Sequence, residues 1–364
     1  MESQGLTSQT RLIHLGWTED RIEDARNYTE QGLEVGRIVL EHRHRCTVAT
    51  AQDDLEAEVA GRLLHQADDT QGLPVVGDWV AIQRTDTGAM VHAVLQRGPT
   101  LSRHAAGRRT REQVVAANLD TVFLVMGLDG DFNLRRLERL LVTAWESGAA
   151  PVVVLNKADL CDDLEDRRQA VELTAPGAPV VAVSCLLGQG LGALRSHLVP
   201  RRTVALLGSS GVGKSSLINS LLGEERLRTG TVRAGDDRGC HTTTHRQLVE
   251  LPGGALLIDN PGLRELQLWA GDAGLGQAFD DVAALATGCR FRDCTHQDEP
   301  GCAVRQSVVD GRFDSARLDS YHALERELQS SAIRRDQAAR RAAGKKAQAM
   351  YRSAKKAKAS RRRW

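Results

Sequence analysis

The sequence predicts a multidomain α/β protein, with a small N-terminal β-barrel, a central mostly parallel sheet and a cysteine-rich C-terminal module with helices. Three observations carry this. From about Gly36 to Pro99, short β-branched runs alternate with glycine turns, the pattern of a small barrel. From Leu119, apolar strands alternate with helical segments, as in a parallel sheet covered on both faces. After about Gly288 the chain turns irregular and cysteine-rich, then helical and basic.

Composition narrows the class. A chain of 364 residues is long enough for two or three buried cores. Hydrophobic residues at 41% and charged residues at 26% fit an ordinary soluble protein. Aromatics at 4% argue against a surface that binds RNA mainly by base stacking, and a net charge of +1 means that any attraction to nucleic acid comes from a local patch. Met1–Thr10 lacks a charged-then-apolar signal pattern, and no apolar run approaches the roughly 20 residues needed to span a bilayer. The expectation is a cytoplasmic protein with no membrane partner. Its seven cysteines are then reduced, so that clustered ones point to metal.

In chain order, residues 1–33 are a polar extension without an assigned structure. Val75–Ile82 reads as a turn then a strand, and Met90–Leu95 as another strand. Buried strands are expected at Asp120–Met126, Pro151–Leu155, Pro179–Val183, Val204–Leu207 and Ala255–Ile258. Asn133 is placed to cap a helix whose Leu134, Leu137, Leu140, Leu141 and Ala144 share one face.

The run Gly208-Ser209-Ser210-Gly211-Val212-Gly213-Lys214-Ser215 fits G-x-x-x-x-G-K-[ST]. An apolar strand precedes it, and a helix with Leu217, Ile218, Leu221 and Leu222 on one side follows. The glycines let backbone N–H groups wrap a phosphate, and the helix N-terminus, with Ser216 in its first turn, adds partial positive charge. Lys214 would bridge the β- and γ-phosphates and Ser215 would hold Mg²⁺. A G-x-G-x-x-G dinucleotide fingerprint is absent here, which excludes the dehydrogenase reading.

Asn156-Lys157-Ala158-Asp159 follows the strand Pro151–Leu155 and fits N-K-x-D. A carboxylate at Asp159 can accept from the guanine N1–H and 2-amino group, donors that adenine lacks. Leaving it unpaired is costly enough for discrimination of about 10⁴. The Lys157 stem would cover the base. Ser184-Cys185 resembles the S-A element whose backbone N–H meets the guanine O6. Asp259-Asn260-Pro261-Gly262 reads as D-x-x-G, with Asp259 reaching Mg²⁺ through water and the Gly262 N–H meeting the γ-phosphate. A switch threonine is expected among Thr242, Thr243 and Thr244. The base motifs precede the phosphate loop, so the predicted unit is a circularly permuted P-loop G domain that binds GTP and GDP. A segment following D-x-x-G leads straight into the C-terminal module.

Cys289, Cys294, His296 and Cys302 form C-x₄-C-x-H-x₅-C within 14 residues. Three thiolates and one imidazole make a closed tetrahedral site, suited to one structural zinc ion. Cys46, Cys161, Cys185 and Cys240 are scattered and read as ordinary. From Arg334 to Trp364 there are 13 Lys or Arg against one acid, Asp336. Such a tail is either an RNA-binding helix with salt-dependent affinity or a solvated arm.

Together, the permuted motifs, the barrel and the cysteine spacing resemble the ribosome small-subunit-dependent GTPase A family, known as RsgA or YjeQ, over about residues 35–330. Gln113–Asp120, Phe132-Asn133 and Gly239-x-His241-Thr242-Thr243-Thr244 agree with it. The resemblance implies an OB-fold barrel that binds 16S rRNA, action late in 30S ribosomal subunit maturation, and GTP hydrolysis stimulated by the 30S subunit. The domains expected are an N-terminal extension 1–33, an OB-fold barrel 34–105, a permuted G domain 106–275, a zinc-binding module 276–330 and a basic tail 331–364, in a monomer. Leu263 stands where Ras-like enzymes place a water-orienting glutamine. Slow intrinsic hydrolysis follows, and His241 is the candidate within the chain to orient water. The alternatives are a P-loop ATPase or small-molecule kinase, disfavoured by Asn156 and Asp159, an RNA-binding assembly scaffold with little turnover, and a permuted GTPase acting on another RNA.

Overall fold

The structure is a computed structural model and describes residues 10–42, 45–66, 72–104, 112–224, 246–259 and 272–360. Strands β1 (Glu34–Glu41), β2 (Arg45–Thr50), β3 (Asp54–Val59), β4 (Trp79–Thr85) and β5 (Gly88–Val94) form the first unit. Their order is β1-β2-β3-β5-β4, and β4 returns to pair with β1, with Arg37 opposite Trp79 and Glu34 opposite Ile82. The result is a closed five-stranded barrel. Its core holds Ile38, Val48, Ala57, Val80, Ile82 and Val91. Cys46 lies there too, and burial pushes its thiol up to about 12, which fits an inert core cysteine.

The segment left unassigned from sequence covers this barrel. The helix Asp20–Thr29 buries Ala25, and Leu12 joins the same apolar cluster as Trp79 and Leu95. Trp17 meets Trp79 edge to face, with centroids 4.7 Å apart.

A hairpin of β6 (Thr100–His104) and β7 (Glu112–Ala117) leads to the second unit. This is built from β8 (Thr121–Gly127), β9 (Ala150–Asn156), β10 (Val180–Ala182), β11 (Thr203–Leu207), β12 (Arg246–Glu250) and β13 (Leu256–Asp259). The order is β10-β9-β8-β11-β13-β12, parallel throughout except that β12 runs antiparallel to β13. All five residues of β11 are buried, as expected for a central strand covered on both faces. Asn133 caps the helix Leu134–Ser147 as expected, its Oδ1 accepting from Arg136 N at 3.1 Å, and Leu137, Leu141 and Ala144 are buried. The sheet does not stop at β12. Leu40 and Glu41 of β1 pair with Gln247 and Arg246, and an Arg246–Glu41 ion pair at 2.7 Å closes that seam.

Beyond residue 271 come the helices Asp272–Ala278, Asp280–Ala286 and Ala303–Val309, then one continuous helix, Ser315–Ser360. At 46 residues it is about 69 Å long, and it runs without a break through residue 330. Leu318, Leu324 and Leu328 enter the same core cluster as Leu137 and Leu141. Arg317 donates to Glu138 at 2.9 Å, Asp281 at 2.8 Å and the Ala278 carbonyl at 2.9 Å, and lies over the Phe279 ring. Among the described residues no helix is long and apolar enough to cross a membrane.

Where barrel and sheet meet, Arg37 of β1 is wholly buried. Its guanidinium donates to the carbonyls of Gly77 (3.1 Å), Asn118 (3.4 Å) and Leu15 and to Thr203 Oγ1 (2.9 Å). Burial pulls its pKa down to about 9, still above neutrality, so the side chain remains a cation. Arg37→Ala would orphan these acceptors and leave a cavity, at a cost of about 3 kcal/mol. The measurement is a urea unfolding curve, which should shift to a lower midpoint.

Candidate functional site

Strand register brings the sequence motifs to one edge. Asn156 of β9 lies opposite Gly127 of β8, and Leu124 of β8 opposite Leu207 of β11. Ala205 of β11 lies opposite Ile258 of β13, so Asp259 follows at the same edge. The carboxyl ends of these strands therefore converge, the location where open α/β sheets bind ligands.

The chain leaves β11 at Gly208, with φ +151°. A Cβ there would stand 2.3 Å from the Val125 carbonyl oxygen, which only glycine avoids. Gly213 has φ +93° and opens the helix Lys214–Leu222, whose Leu217, Ile218 and Leu221 are buried. The first-turn N–H groups of such a helix have no partners within it, and here they belong to Lys214, Ser215 and Ser216. The Lys214 ammonium arches back over the loop to the carbonyls of Gly208 (2.6 Å) and Ser209.

The Asn156–Asp159 turn is welded to this loop. Asn156 Nδ2 donates to the Val212 carbonyl at 2.9 Å, and a Cβ on Gly213 would stand 2.2 Å from that nitrogen. The other end of the carboxamide, Oδ1, is buried without a hydrogen-bond partner among the described residues, an acceptor left for a ligand. Lys157 adopts φ +63° and donates to the Gly211 carbonyl at 2.7 Å and to Asp129. Burial opposes the charged form of Asp129, but the Lys157 ammonium and the Asp131 N–H outweigh it and hold the carboxyl below its ordinary pKa.

Ser184 takes a task that the motif did not reveal. Its N–H donates to the Gln189 carbonyl at 3.0 Å, while its buried hydroxyl donates to Asp159 Oδ1 and accepts from Leu187 N. It therefore aims the carboxylate, and its own N–H is already engaged by the Gln189 carbonyl. Two further residues escaped the sequence reading: Asp129, which pairs with Lys157, and Arg136, whose Nη1 donates to Ser209 Oγ at 2.8 Å. The aspartates just past the end of β8 were the available signal. His241, Thr242, Thr243, Thr244, Asn260, Gly262 and Leu263 lie outside the described residues.

Cys289, Cys294, His296 and Cys302 do converge, with ligand atoms all within 4.8 Å of one another. His296 Nδ1 stands 3.6 Å from Cys289 Sγ and 3.5 Å from Cys302 Sγ, and the two sulfurs are 4.0 Å apart. Tetrahedral arms of about 2.3 Å give edges of about 3.8 Å, so this donor set fits a zinc ion. The Cys302 sulfur also accepts from Arg305 N, capping the helix Ala303–Val309. The cluster packs into the core shared with Leu137 and Phe279.

A phosphate loop on a central strand, served by an Asn-Lys-x-Asp turn from an earlier strand, defines a circularly permuted GTP hydrolase. Comparison with known proteins agrees. The RsgA GTPase family model matches residues 94–269. The small ribosomal subunit biogenesis GTPase RsgA of Opitutus terrae is 49% identical over 336 residues, covering 89% of this chain and 92% of that protein. Its counterpart from Syntrophotalea carbinolica is 41% identical over 355 residues, covering 95% and 97%. The crystal structure of YjeQ from Thermotoga maritima superposes with a TM-score of 0.62 at 27% identity, over 82% of this chain and 99% of that one. That of YloQ, described as a circularly permuted GTPase, gives 0.59 at 24% identity over 82% and 96%, a likeness of fold. The chain belongs to the RsgA GTPase family.

Two outcomes follow from this geometry. Ser184→Ala frees the Asp159 carboxylate and should weaken GDP binding about tenfold, the worth of one hydrogen bond to a charged group, read by fluorescent GDP titration. Metal analysis should find about one zinc per chain, and stripping it with a chelator should expose the 286–303 segment to protease, because the ion's binding energy is folding energy.

Proposed function

We propose that this protein is a GTPase of late 30S ribosomal subunit maturation, one that binds the small subunit through 16S rRNA, hydrolyses GTP in response and leaves when GTP is spent. The observation that carries this is the near full-length relationship, at 41–49% identity, to proteins named small ribosomal subunit biogenesis GTPases. It spans barrel, nucleotide site and cysteine cluster alike. The working division is that of the sequence: extension 1–33, barrel 34–105, G domain 106–275, zinc module 276–330 and basic tail 331–364. The protein acts in the cytoplasm as a monomer.

In this reading the guanine base rests against Asn156, Lys157 and Asp159, with the Cys185 N–H toward its O6. The phosphates lie along Gly208 to Ser215, where the loop N–H groups and the Lys214 ammonium neutralise them. Ser215, a threonine among Thr242–Thr244 and, through water, Asp259 would hold Mg²⁺, which would supply charge neutralisation to the phosphates. Water attacks the γ-phosphorus, the bond to the β-phosphate oxygen breaks, and GDP and phosphate leave. Leu263 cannot orient that water. His241 does so when the protein is bound to the ribosome. The barrel and the basic helix supply contacts to rRNA phosphates, whose affinity falls with salt. Because the segment after Asp259-Asn260-Pro261-Gly262 leads in sequence to the C-terminal helices, loss of the γ-phosphate loosens the grip of that module.

The test is GTP turnover by the purified protein alone, with 30S and with 50S subunits. Stimulation of at least about tenfold by 30S only is expected, and His241→Ala should abolish it without changing GDP affinity. Equal response to 50S, or none to either, would transfer the protein to another RNA or to a scaffold role.

A further inference from the structure

We infer that Arg136 is a positioning residue for GTP hydrolysis, a cation supplied by the chain itself that holds the phosphate loop at Ser209 and favours the triphosphate over the diphosphate. The inference rests on Gly208–Ser215 being the phosphate loop.

Three cations grip that loop from within the chain, each at a different place. Lys157 holds the Gly211 carbonyl, Lys214 those of Gly208 and Ser209, and Arg136 the Ser209 hydroxyl. The base-reading residues thus touch the far half, Gly211 to Gly213, whereas Arg136 stands at the opposite end. Lys157 is balanced by Asp129. Arg136 is balanced by Asp131 at 2.5 Å, in a pair more exposed to water than that of Lys157. Both side chains are more than a third exposed, at 39% and 35%, where water screens ion pairs strongly. All hydrogen bonds of the guanidinium to described residues come from Nη1. A guanidinium carries five N–H donors, so Nε and Nη2 keep three of them unengaged among the described residues. The other oxygen of Asp131, Oδ2, is buried with no partner among the described residues, so the carboxylate is an incomplete resting place for the cation.

The backbone beneath Arg136 is, by contrast, held fast. Asn133 caps its N–H, and further along the same helix two residues lock onto the C-terminal helix, Glu138 to Arg317 at 2.9 Å and Arg139 to Glu327 at 2.7 Å. A fixed backbone carrying a weakly committed arginine is the arrangement that preorganisation requires. The side chain exchanges Asp131 for phosphate oxygen without any movement of the helix. An additional phosphate adds negative charge beside the loop, so the exchange favours GTP over GDP.

The experiment uses the full chain with Arg136→Ala, Arg136→Gln and Arg136→Lys. Fluorescent GDP and a non-hydrolysable GTP analogue are titrated, single-turnover hydrolysis is timed at saturating GTP, and thermal unfolding is recorded alongside. For Arg136→Ala and Arg136→Gln, GDP affinity should stay within about threefold, while analogue affinity and the single-turnover rate each fall about tenfold, the scale of one charge-assisted hydrogen bond. Arg136→Lys should recover part of both. Equal losses for the two nucleotides, with Lys no better than Gln, would mean that Arg136 only braces the loop and would overturn the inference, as would unchanged rate and affinity. Asp131→Asn tests it from the other side should the arginine variants unfold: it frees the cation and should tighten the analogue about threefold relative to GDP, and weaker analogue binding would count against the idea. Failure of the unmodified protein to bind either nucleotide would refute the phosphate-loop reading itself, a result distinct from the failure of Arg136 alone.

Discussion

A guanidinium can be taken wholly out of water only if most of its N–H groups find acceptors, because the charge otherwise forfeits its hydration without return. Arg37 meets that condition with acceptors drawn from four separate stretches: Leu15 of the N-terminal cover, Gly77 ahead of β4, Asn118 at the entry to the central unit and Thr203 at the start of β11. These four must therefore arrive at one point. Their convergence explains other oddities nearby. Gly77 sits where a Cβ would stand 2.3 Å from the Ala117 carbonyl oxygen. Asn118 takes φ +59° so that its side chain can donate to the Gly77 carbonyl and accept from Gly98 N and Arg21. Since Thr203 opens the strand that ends at the phosphate loop, the placement of the barrel and that of the nucleotide share one anchor.

The motifs were legible in the sequence because their chemistry is local. A loop that must wrap phosphate needs its glycines and lysine in consecutive positions, and the strand before it and the helix after it carry their own periodicity. The same holds for the Asn133 cap and for four metal ligands within one short segment. Permutation was legible for the opposite reason. A parallel sheet does not care in which order its strands were made, so motif order in the chain and motif order in space could be read independently, and register places Asn156, Gly208 and Asp259 along one edge.

What escaped was long-range and polar. The Ser184-Cys185 element announces a backbone N–H, but not that the Ser184 hydroxyl aims Asp159 across 25 residues of chain. Arg136 reaches Ser209 over 73 residues, and Arg317 reaches Glu138 over 179. No local propensity records such pairs. Hints did exist: Arg37 interrupts an otherwise apolar strand, and Asp129 and Asp131 follow a strand end where ligand-facing residues gather. The polar lead segment resisted assignment because apolar residues such as Leu12, Trp17 and Ala25 find meaning only against Trp79 and its neighbours.

The seam between β1 and β12 also imposes a timetable. Glu41 and Arg246, which close it, are separated by 205 positions in the chain. At about 5–20 residues per second, β1 leaves the ribosome about 10–40 s before its partner does. The barrel's own five strands are complete by Val94, so it can fold first and wait, with the outer end of β1 and the Arg37 guanidinium still open to water. A chain interrupted before β12 would leave the outer end of β1 without its strand partner and Glu41 without Arg246.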